Sequence, residues 1–119
     1  MLITFTGRKS KRRFTTPIRY VQVGEIVRCF STSKGQWWRN LRERAEVSLR
    51  IRGENRRYTA VAIEHDPQRI RDALQHYLEL FPQDASYHEI GLNRDKSLVA
   101  EDLNQACKNA ILVEACPVP

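Results

Sequence analysis

The sequence predicts a mostly β protein with packed helices, an α+β fold in which helices pack on a small antiparallel barrel. Three observations support this class. Short runs rich in β-branched and aromatic residues fill the first half of the chain, from Leu2 to Ile63. Helical spacing of apolar residues begins only after Asp66-Pro67. An apolar run at residues 110–113 then follows the helices, and strands early, helices late and one closing strand are typical of an α+β domain.

The predicted strands alternate apolar with polar residues or are rich in residues of high β propensity. Pro17 interrupts the second of them, and proline lacks the amide hydrogen that a central strand needs, so this strand is expected at a sheet edge. Turns are expected at Val23-Gly24-Glu25 and at Gly53-Glu54-Asn55. The predicted strands cover residues 2–6, 14–23, 26–30, 47–51, 57–63 and 110–113.

The longest predicted helix follows Asp66, which is expected to cap it, with Pro67 at its first position and Pro82 at its end. One face of this helix is apolar at helical spacing, through Ile70, Ala73, Leu74, Tyr77, Leu78 and Phe81. Shorter helices are predicted over residues 36–41, 87–90 and 99–107.

Composition points to one domain with an anionic partner. The chain has 119 residues, enough for a single modest core, and a net charge of +6. That surplus indicates nucleic acid, a phosphorylated cofactor or an acidic surface. Residues 8–13 alone carry five positive charges, which suits a discrete anionic ligand at least as well as a long polyanion. The cysteines are odd in number and widely spaced, and no signal or membrane-spanning pattern is present, so a cytoplasmic location is expected.

The stretch from Thr6 to Arg13 is the most distinctive part of the sequence. Its cations lie on the connection between two predicted strands, where Gly7 allows a tight turn and Ser10 adds a hydroxyl donor. Guanidinium groups bind phosphate oxygens through paired hydrogen bonds and lysine adds a point charge, so this loop is a candidate phosphate site. The alternative is a solvated hairpin tip, which is what most charged runs are.

Trp37 and Trp38 form the second distinctive feature. Adjacent residues face different directions on a helix, so one indole is expected in the core and the other nearer the surface. The outer indole is a candidate apolar wall for a flat ring system near residues 31–34. The alternative is that both indoles fill the seam between a helix and the barrel.

The sequence contains no glycine-rich dinucleotide fingerprint, no Walker loop, no serine elbow and no evident pair of catalytic carboxylates. His65, His76 and His88 are scattered and are expected to be surface or boundary residues rather than metal ligands. No catalytic residue is therefore assigned, and an enzymatic function would depend on a cofactor that performs the chemistry.

Three segments, residues 2–10, 15–18 and 37–41, resemble the deazaflavin-dependent nitroreductase (quinone reductase) family. This family belongs to the flavin-binding split-barrel group, which includes the pyridoxamine phosphate oxidase-like proteins. The resemblance implies a single split β-barrel domain over residues 1–119 that forms a homodimer. It also implies binding of the deazaflavin coenzyme F-420, or FMN as in some relatives, and hydride transfer to nitro compounds, quinones or activated alkenes.

By the same resemblance, Arg8, Lys9 and Ser10 hold the cofactor phosphate, and Arg12 or Arg13 is expected to compensate for an arginine that the family usually has at position 14. Thr16 and Pro17 are expected near the ring, and Ser33 and Lys34 in the loop beside it. Trp37 is expected to form the apolar wall. The full set of cofactor contacts is then Arg8, Lys9, Ser10, Arg13, Thr16, Pro17, Ser33, Lys34 and Trp37. Compared with the family pattern, this chain has Lys11 where glycine is usual and Phe14 where arginine is usual. Met1 directly precedes the first strand, so the helix that often covers the substrate pocket is expected to be absent.

Two alternatives stay open at this point. The first keeps the fold and makes the protein an FMN-binding split barrel without turnover. The second is a small basic barrel that binds single-stranded nucleic acid, with a cationic track extended by Arg50, Arg52, Arg56 and Arg57. Against the second, aromatic residues are few, so a nucleic acid is not expected as a specific partner.

Overall fold

A computed structural model of the chain describes residues 1–95 and 97–119. The chain folds into two units. The first unit comprises Met1–Cys29, Gln36–Ala62 and Val113–Pro119, and the second comprises Phe30–Gly35 and Ile63–Leu112. The single-domain organisation expected from the sequence stays a prediction.

Seven strands form one sheet in the order β2-β1-β5-β6-β7-β4-β3, and the sheet is not closed. The predicted class, a mostly β fold with helices, is confirmed. Nearly all of the sheet lies in the first unit, while residues 30–32 of β4, residue 63 of β6 and residues 110–112 of β7 belong to the second. The strands are β1 (Leu2–Thr6), β2 (Arg13–Pro17), β3 (Val21–Val23), β4 (Ile26–Thr32), β5 (Ala45–Ile51), β6 (Glu54–Ile63) and β7 (Ala110–Pro117).

The prediction of one strand over residues 14–23 was wrong, because that stretch forms two strands at opposite ends of the sheet. β2 pairs with β1, and β3 pairs with β4. Pro17 ends β2, and the expected edge position of this strand is confirmed by its place in the strand order. The chain leaves the β1 edge after Pro17 and re-enters the sheet at Val21.

Two-residue turns join the paired strands β3–β4 and β5–β6. Gly24, with φ of 61°, opens the first turn, as expected from the sequence. The second turn is Arg52-Gly53, with φ of 53° and 82°, so the predicted turn at Gly53-Glu54-Asn55 was placed too late. Glu54 already pairs with Ile51, because positive φ at both central residues matches the twist of a tight hairpin.

The core of the first unit follows the alternation of its strands. Ile3 and Phe5 of β1, and Val47 and Leu49 of β5, are buried, while most of the residues between them face outward. The predicted helix at residues 36–41 is a 3-10 helix, Trp37–Leu41. Trp38 and Leu41 from this helix are each 1% exposed and belong to the same core.

The second unit is mostly helical. Helix α1 (Pro67–Leu80) begins as predicted, with the Asp66 carboxylate accepting a hydrogen bond from the Arg69 amide. Its buried face contains the predicted residues Ile70, Ala73, Leu74, Tyr77 and Leu78, while Phe81 is the C-cap residue. A 3-10 helix (Pro82–His88) replaces the predicted helix at 87–90, and Glu89 with φ of 61° ends it. Helix α2 (Ala100–Ala106) follows.

Neither α1 nor α2, nor any other helix within residues 1–95 and 97–119, combines the length and apolarity needed to cross a lipid bilayer.

Candidate cofactor-binding site

The cationic stretch forms the tip of the β1–β2 hairpin in the first unit. Thr6 pairs with Arg13 at the base of the tip. Above this pair the Gly7 amide donates to the Arg12 carbonyl at 2.8 Å, and the Lys11 amide donates to the Gly7 carbonyl at 3.0 Å. Backbone hydrogen bonds therefore define the shape of the tip, and the cationic side chains are not needed to hold it.

Gly7 is required by close contact rather than by an unusual backbone angle. A Cβ at this position would lie 2.7 Å from Ser10 Oγ and 2.8 Å from a ring carbon of Phe14. The left-handed conformation, φ of 59°, occurs instead at Lys11, the position where glycine was noted as usual in the resembling family.

Two polar side chains fix the tip further. Ser10 Oγ accepts a hydrogen bond from the Arg12 amide at 3.2 Å, which leaves its own hydrogen available as a donor. Asn40 Oδ1, from the 3-10 helix, accepts from the Arg8 amide at 2.9 Å, while Asn40 Nδ2 donates to the Trp37 carbonyl at 2.9 Å. The two segments that the sequence singled out independently are thus joined through Asn40.

The charged groups of the tip remain available to a ligand. Arg8, Lys9, Lys11, Arg12 and Arg13 are all exposed. No carboxylate of the described residues forms an ion pair with any of them, and Arg8 Nη1 makes a long bond of 3.4 Å to the Arg39 carbonyl. A phosphate needs several cationic donors on one short segment, and this tip supplies them without competing acids, so the residues present fit a phosphorylated cofactor.

Aromatic rings lie beside the tip. The Phe5 ring stacks on Phe14 with centroids 5.8 Å apart, and it lies 6.1 Å from the Trp37 ring. Phe14 is 44% exposed and Trp37 is half-buried, whereas Trp38 is buried under the guanidinium groups of Arg39 and Arg42 at 4.9 and 5.0 Å. The expectation that the two indoles differ in burial is confirmed. Sequence analysis missed the Phe5–Phe14 pair, which the hairpin register places directly opposite.

Thr16 and Pro17 lie on the edge strand β2. Thr16 is half-buried and pairs with Ile3, and Pro17 is exposed opposite Leu2. The first unit therefore contains Arg8, Lys9, Ser10, Arg13, Thr16, Pro17 and Trp37 of the predicted contacts.

The other two predicted contacts, Ser33 and Lys34, belong to the second unit, where they line a cavity of about 280 Å³. The Ser33 amide donates to the Asn109 carbonyl at 2.7 Å, which fixes the turn after β4 against the end of α2. The polar residues of the lining include Ser33, Lys34, His88, Glu89, Asp102, Gln105 and Asn109.

His88 is the residue of this cavity that sequence reasoning placed wrongly. His65 and His76 are exposed as expected, but His88 is only 7% exposed. Its ring meets Phe30 edge-on at 6.3 Å and Tyr87 at 5.0 Å. Burial lowers the pKa of His88 from 6.5, an effect that the Asp84 carboxylate partly opposes, so the imidazole is neutral at pH 7.

A family model described as F420H(2)-dependent quinone reductase matches residues 1–95 of the 119. The chain belongs to this family. The relationship expected from the sequence is confirmed, and with it membership of a family of F420H2-dependent oxidoreductases. No curated protein matches the chain at a significant level. The family match includes the hairpin tip and the Trp37–Leu41 helix, whereas α2 and β7 lie beyond it.

Proposed function

We propose that this protein is an F420H2-dependent reductase of small acceptors, namely quinones, nitro compounds or activated alkenes. The observation that supports this most is the hairpin tip between β1 and β2. It presents five cations that form no ion pair with a carboxylate of residues 1–95 or 97–119, beside an aromatic group, in a chain of the F420H(2)-dependent quinone reductase family. A phosphate site next to aromatic rings is what a phosphorylated ring cofactor requires.

The residues of the first unit have distinct roles in this proposal. The side chains of Arg8, Lys9 and Arg13 bind the phosphate, and the Ser10 hydroxyl donates one hydrogen bond to it. Thr16, Pro17 and Trp37 contact the ring. When bound, the reduced deazaflavin supplies the hydride. The protein contributes position and orientation, and no protein base is obligatory.

Ser33 and Lys34 of the second unit are assigned to the same cofactor by the resemblance alone. Both line the cavity described above, and Lys34 places an exposed ammonium group at it. Their substitution by alanine should weaken cofactor binding if the assignment holds.

Titration of the purified protein with F420 and with FMN tests the cofactor. We expect F420 absorbance to co-migrate with the protein through gel filtration, and FMN to bind more weakly. Stable FMN binding with no F420 binding would favour the alternative, an FMN-binding protein without turnover. Binding of neither cofactor would contradict the proposal.

We propose a homodimer and a cytoplasmic location. β2 and β3 are the edge strands of the sheet, and Phe14 of β2 and Val23 of β3 are exposed apolar residues on them. A twofold dimer is the commonest way to cover such surfaces. Three free cysteines, Cys29, Cys107 and Cys116, suit a reducing compartment. Light scattering that reports a monomer at micromolar concentration would contradict the dimer.

The nucleic-acid alternative has one observation in its favour. Arg50, Arg52, Arg56 and Arg57 are all exposed around the β5–β6 turn. Contacts of that kind are nonspecific and weaken steeply with salt. We expect oligonucleotide binding to disappear by moderate ionic strength while F420 binding persists, because ring stacking is not screened by ions.

A further inference from the structure

We propose that the cavity lined by Ser33, Lys34 and His88 is the binding site for the electron acceptor, and that the His88 imidazole donates a hydrogen bond to a carbonyl oxygen of that acceptor. The inference rests on the reductase function proposed above and specifies the acceptor site of that function.

His88 is a buried polar side chain without a protein partner. It is 93% buried, since 7% of it is exposed, and its ring nitrogens make no hydrogen bond to any residue within 1–95 or 97–119. Among the same residues, every side-chain nitrogen or oxygen that is fully inaccessible to solvent has a hydrogen-bond partner. The imidazole nitrogens are therefore accessible, and the space that His88 lines is the cavity.

A neutral imidazole has one N–H donor and one acceptor nitrogen. Burial lowers the pKa of His88 and favours this neutral form. Carbonyl oxygens of a quinone accept hydrogen bonds and carry no charge, so a neutral donor in a largely buried site suits them. No residue within 1–95 or 97–119 accepts a hydrogen bond from this donor, and a ligand carbonyl in the cavity would accept it.

The opposite wall of the cavity comes from α2 and the residues after it. Asp102 accepts a hydrogen bond from the Gly91 amide at 2.9 Å, and Gln105 and Asn109 add neutral polar residues to the lining. The lining also includes the charged residues Lys34 and Glu89. Asp102, Gln105 and Asn109 lie beyond the family match, which ends at residue 95. The family match therefore includes the proposed donor, His88, but not this wall of the cavity.

The volume of the cavity limits the size of the electron acceptor that it can bind. Ligand pockets usually measure roughly 300–1,000 Å³, and this cavity of about 280 Å³ lies just below that range. A molecule of one or two rings fits that volume. The ring faces of Tyr87 and the methyl group of Ala106 supply apolar contact for such a molecule.

The test uses the cofactor-free protein and duroquinone, a fully methylated benzoquinone without a free ring position to which the exposed Cys116 thiol could add. In NMR titrations we expect duroquinone to shift the His88 ring signals and to leave those of the exposed His65 and His76 unchanged. His88→Phe preserves an aromatic ring against Phe30 and Tyr87 but removes the donor. We expect it to weaken duroquinone binding about tenfold, as loss of one hydrogen bond of about 1.4 kcal/mol would.

His76→Phe on the exposed face of α1 is the matched control and should bind like the parent. Unmoved His88 signals, or equal binding by His88→Phe and the parent, would overturn the proposal. If His88→Phe does not fold, the signals of the parent still decide. F420 binding is measured separately on the same samples. Duroquinone binding without F420 binding would support the cavity and contradict the reductase, and F420 binding with unmoved His88 signals would contradict the cavity alone.

Discussion

The side-chain oxygen of Asn40 lies 2.9 Å from the backbone nitrogen of Arg8 and accepts its hydrogen bond. The amide nitrogen of the same side chain donates to the Trp37 carbonyl. Asn40 therefore connects the cationic hairpin tip to the 3-10 helix that carries the two tryptophans. It holds the first cation of the tip at a fixed distance from the aromatic group, although its own side chain has no charge.

Two substitutions of Asn40 should distinguish the contributions of these two hydrogen bonds to stability. Asn40→Asp retains an oxygen acceptor for the Arg8 amide and loses the donor to Trp37, whereas Asn40→Ala loses both. Since a neutral hydrogen bond contributes about 0.5–1.5 kcal/mol, we expect the free energy of unfolding to fall by about 1 kcal/mol in Asn40→Asp and about 2 kcal/mol in Asn40→Ala. Denaturant unfolding measures both. F420 affinity should fall in Asn40→Ala because the tip loses its link to the 3-10 helix, and parental affinity in this variant would contradict a positioning role.

The double variant Arg8→Ala, Lys9→Ala tests the phosphate site. Each charged hydrogen bond to phosphate contributes about 1.5–3 kcal/mol, so affinity for F420 should fall at least about tenfold to a hundredfold. Exposed substitutions change stability by only about 0.5 kcal/mol, so the melting temperature should barely move.

The matched control for that variant is Arg44→Ala, Arg50→Ala, which removes two exposed positive charges elsewhere in the first unit. Fluorescence or absorbance titration should show nearly parental F420 affinity for this control. If both double variants lose affinity equally, net charge rather than the hairpin tip would be responsible.

Lys11 adopts a left-handed conformation that costs a residue with a Cβ about 1–2 kcal/mol. Lys11→Gly should therefore raise the free energy of unfolding by up to about 1 kcal/mol, because glycine relieves this strain but increases the freedom of the unfolded chain. Lys9→Gly, two positions earlier and without a positive φ, removes the same charge and should destabilise the protein slightly. Thermal unfolding of the two variants compares them directly, and identical shifts would contradict the assignment of strain to Lys11.

Because His88 is buried, we expect the free energy of unfolding of the protein to fall at acidic pH. Burial lowers its pKa in the folded protein below 6.5, so as pH falls through this value the unfolded chain takes up a proton that the folded chain does not. Unfolding then becomes easier, and the effect levels off below the folded pKa. Denaturant unfolding from pH 7.5 to pH 5 should show this loss in the parent and in His76→Phe, and a smaller loss in His88→Phe. Parallel pH profiles for the parent and His88→Phe would contradict it.

Local signals allowed most elements to be predicted. Asp66 and Pro67 define the start of α1 through cap chemistry, and alternation at Val47 and Leu49 defines the buried face of β5. The prediction of one strand over residues 14–23 failed because alternation shows that a stretch can be a strand but not which strand it pairs with. The chain passes from β2, which pairs with β1, to β3, which pairs with β4, and tertiary contacts determine this pairing.

The candidate site shows the same division. The five cations were evident because they fall within the six positions 8–13, and the two tryptophans were evident because they are adjacent. Asn40 and His88 were not assigned, since the role of Asn40 depends on Arg8, far away along the chain, and the burial of His88 depends on Phe30. Neither contact leaves a periodic signal in the sequence.

The position of β7 has a consequence for synthesis of the chain. It lies between β6 and β4, so every nascent chain shorter than about residue 110 contains two separate groups of strands, β2-β1-β5-β6 and β4-β3. The edges of β6 and β4 that β7 will cover stay open while α1 and α2 are translated. Open edges pair readily with other chains. Slow translation of residues 90–119, or its interruption, should therefore lower the yield of this protein by aggregation rather than by degradation of a folded product.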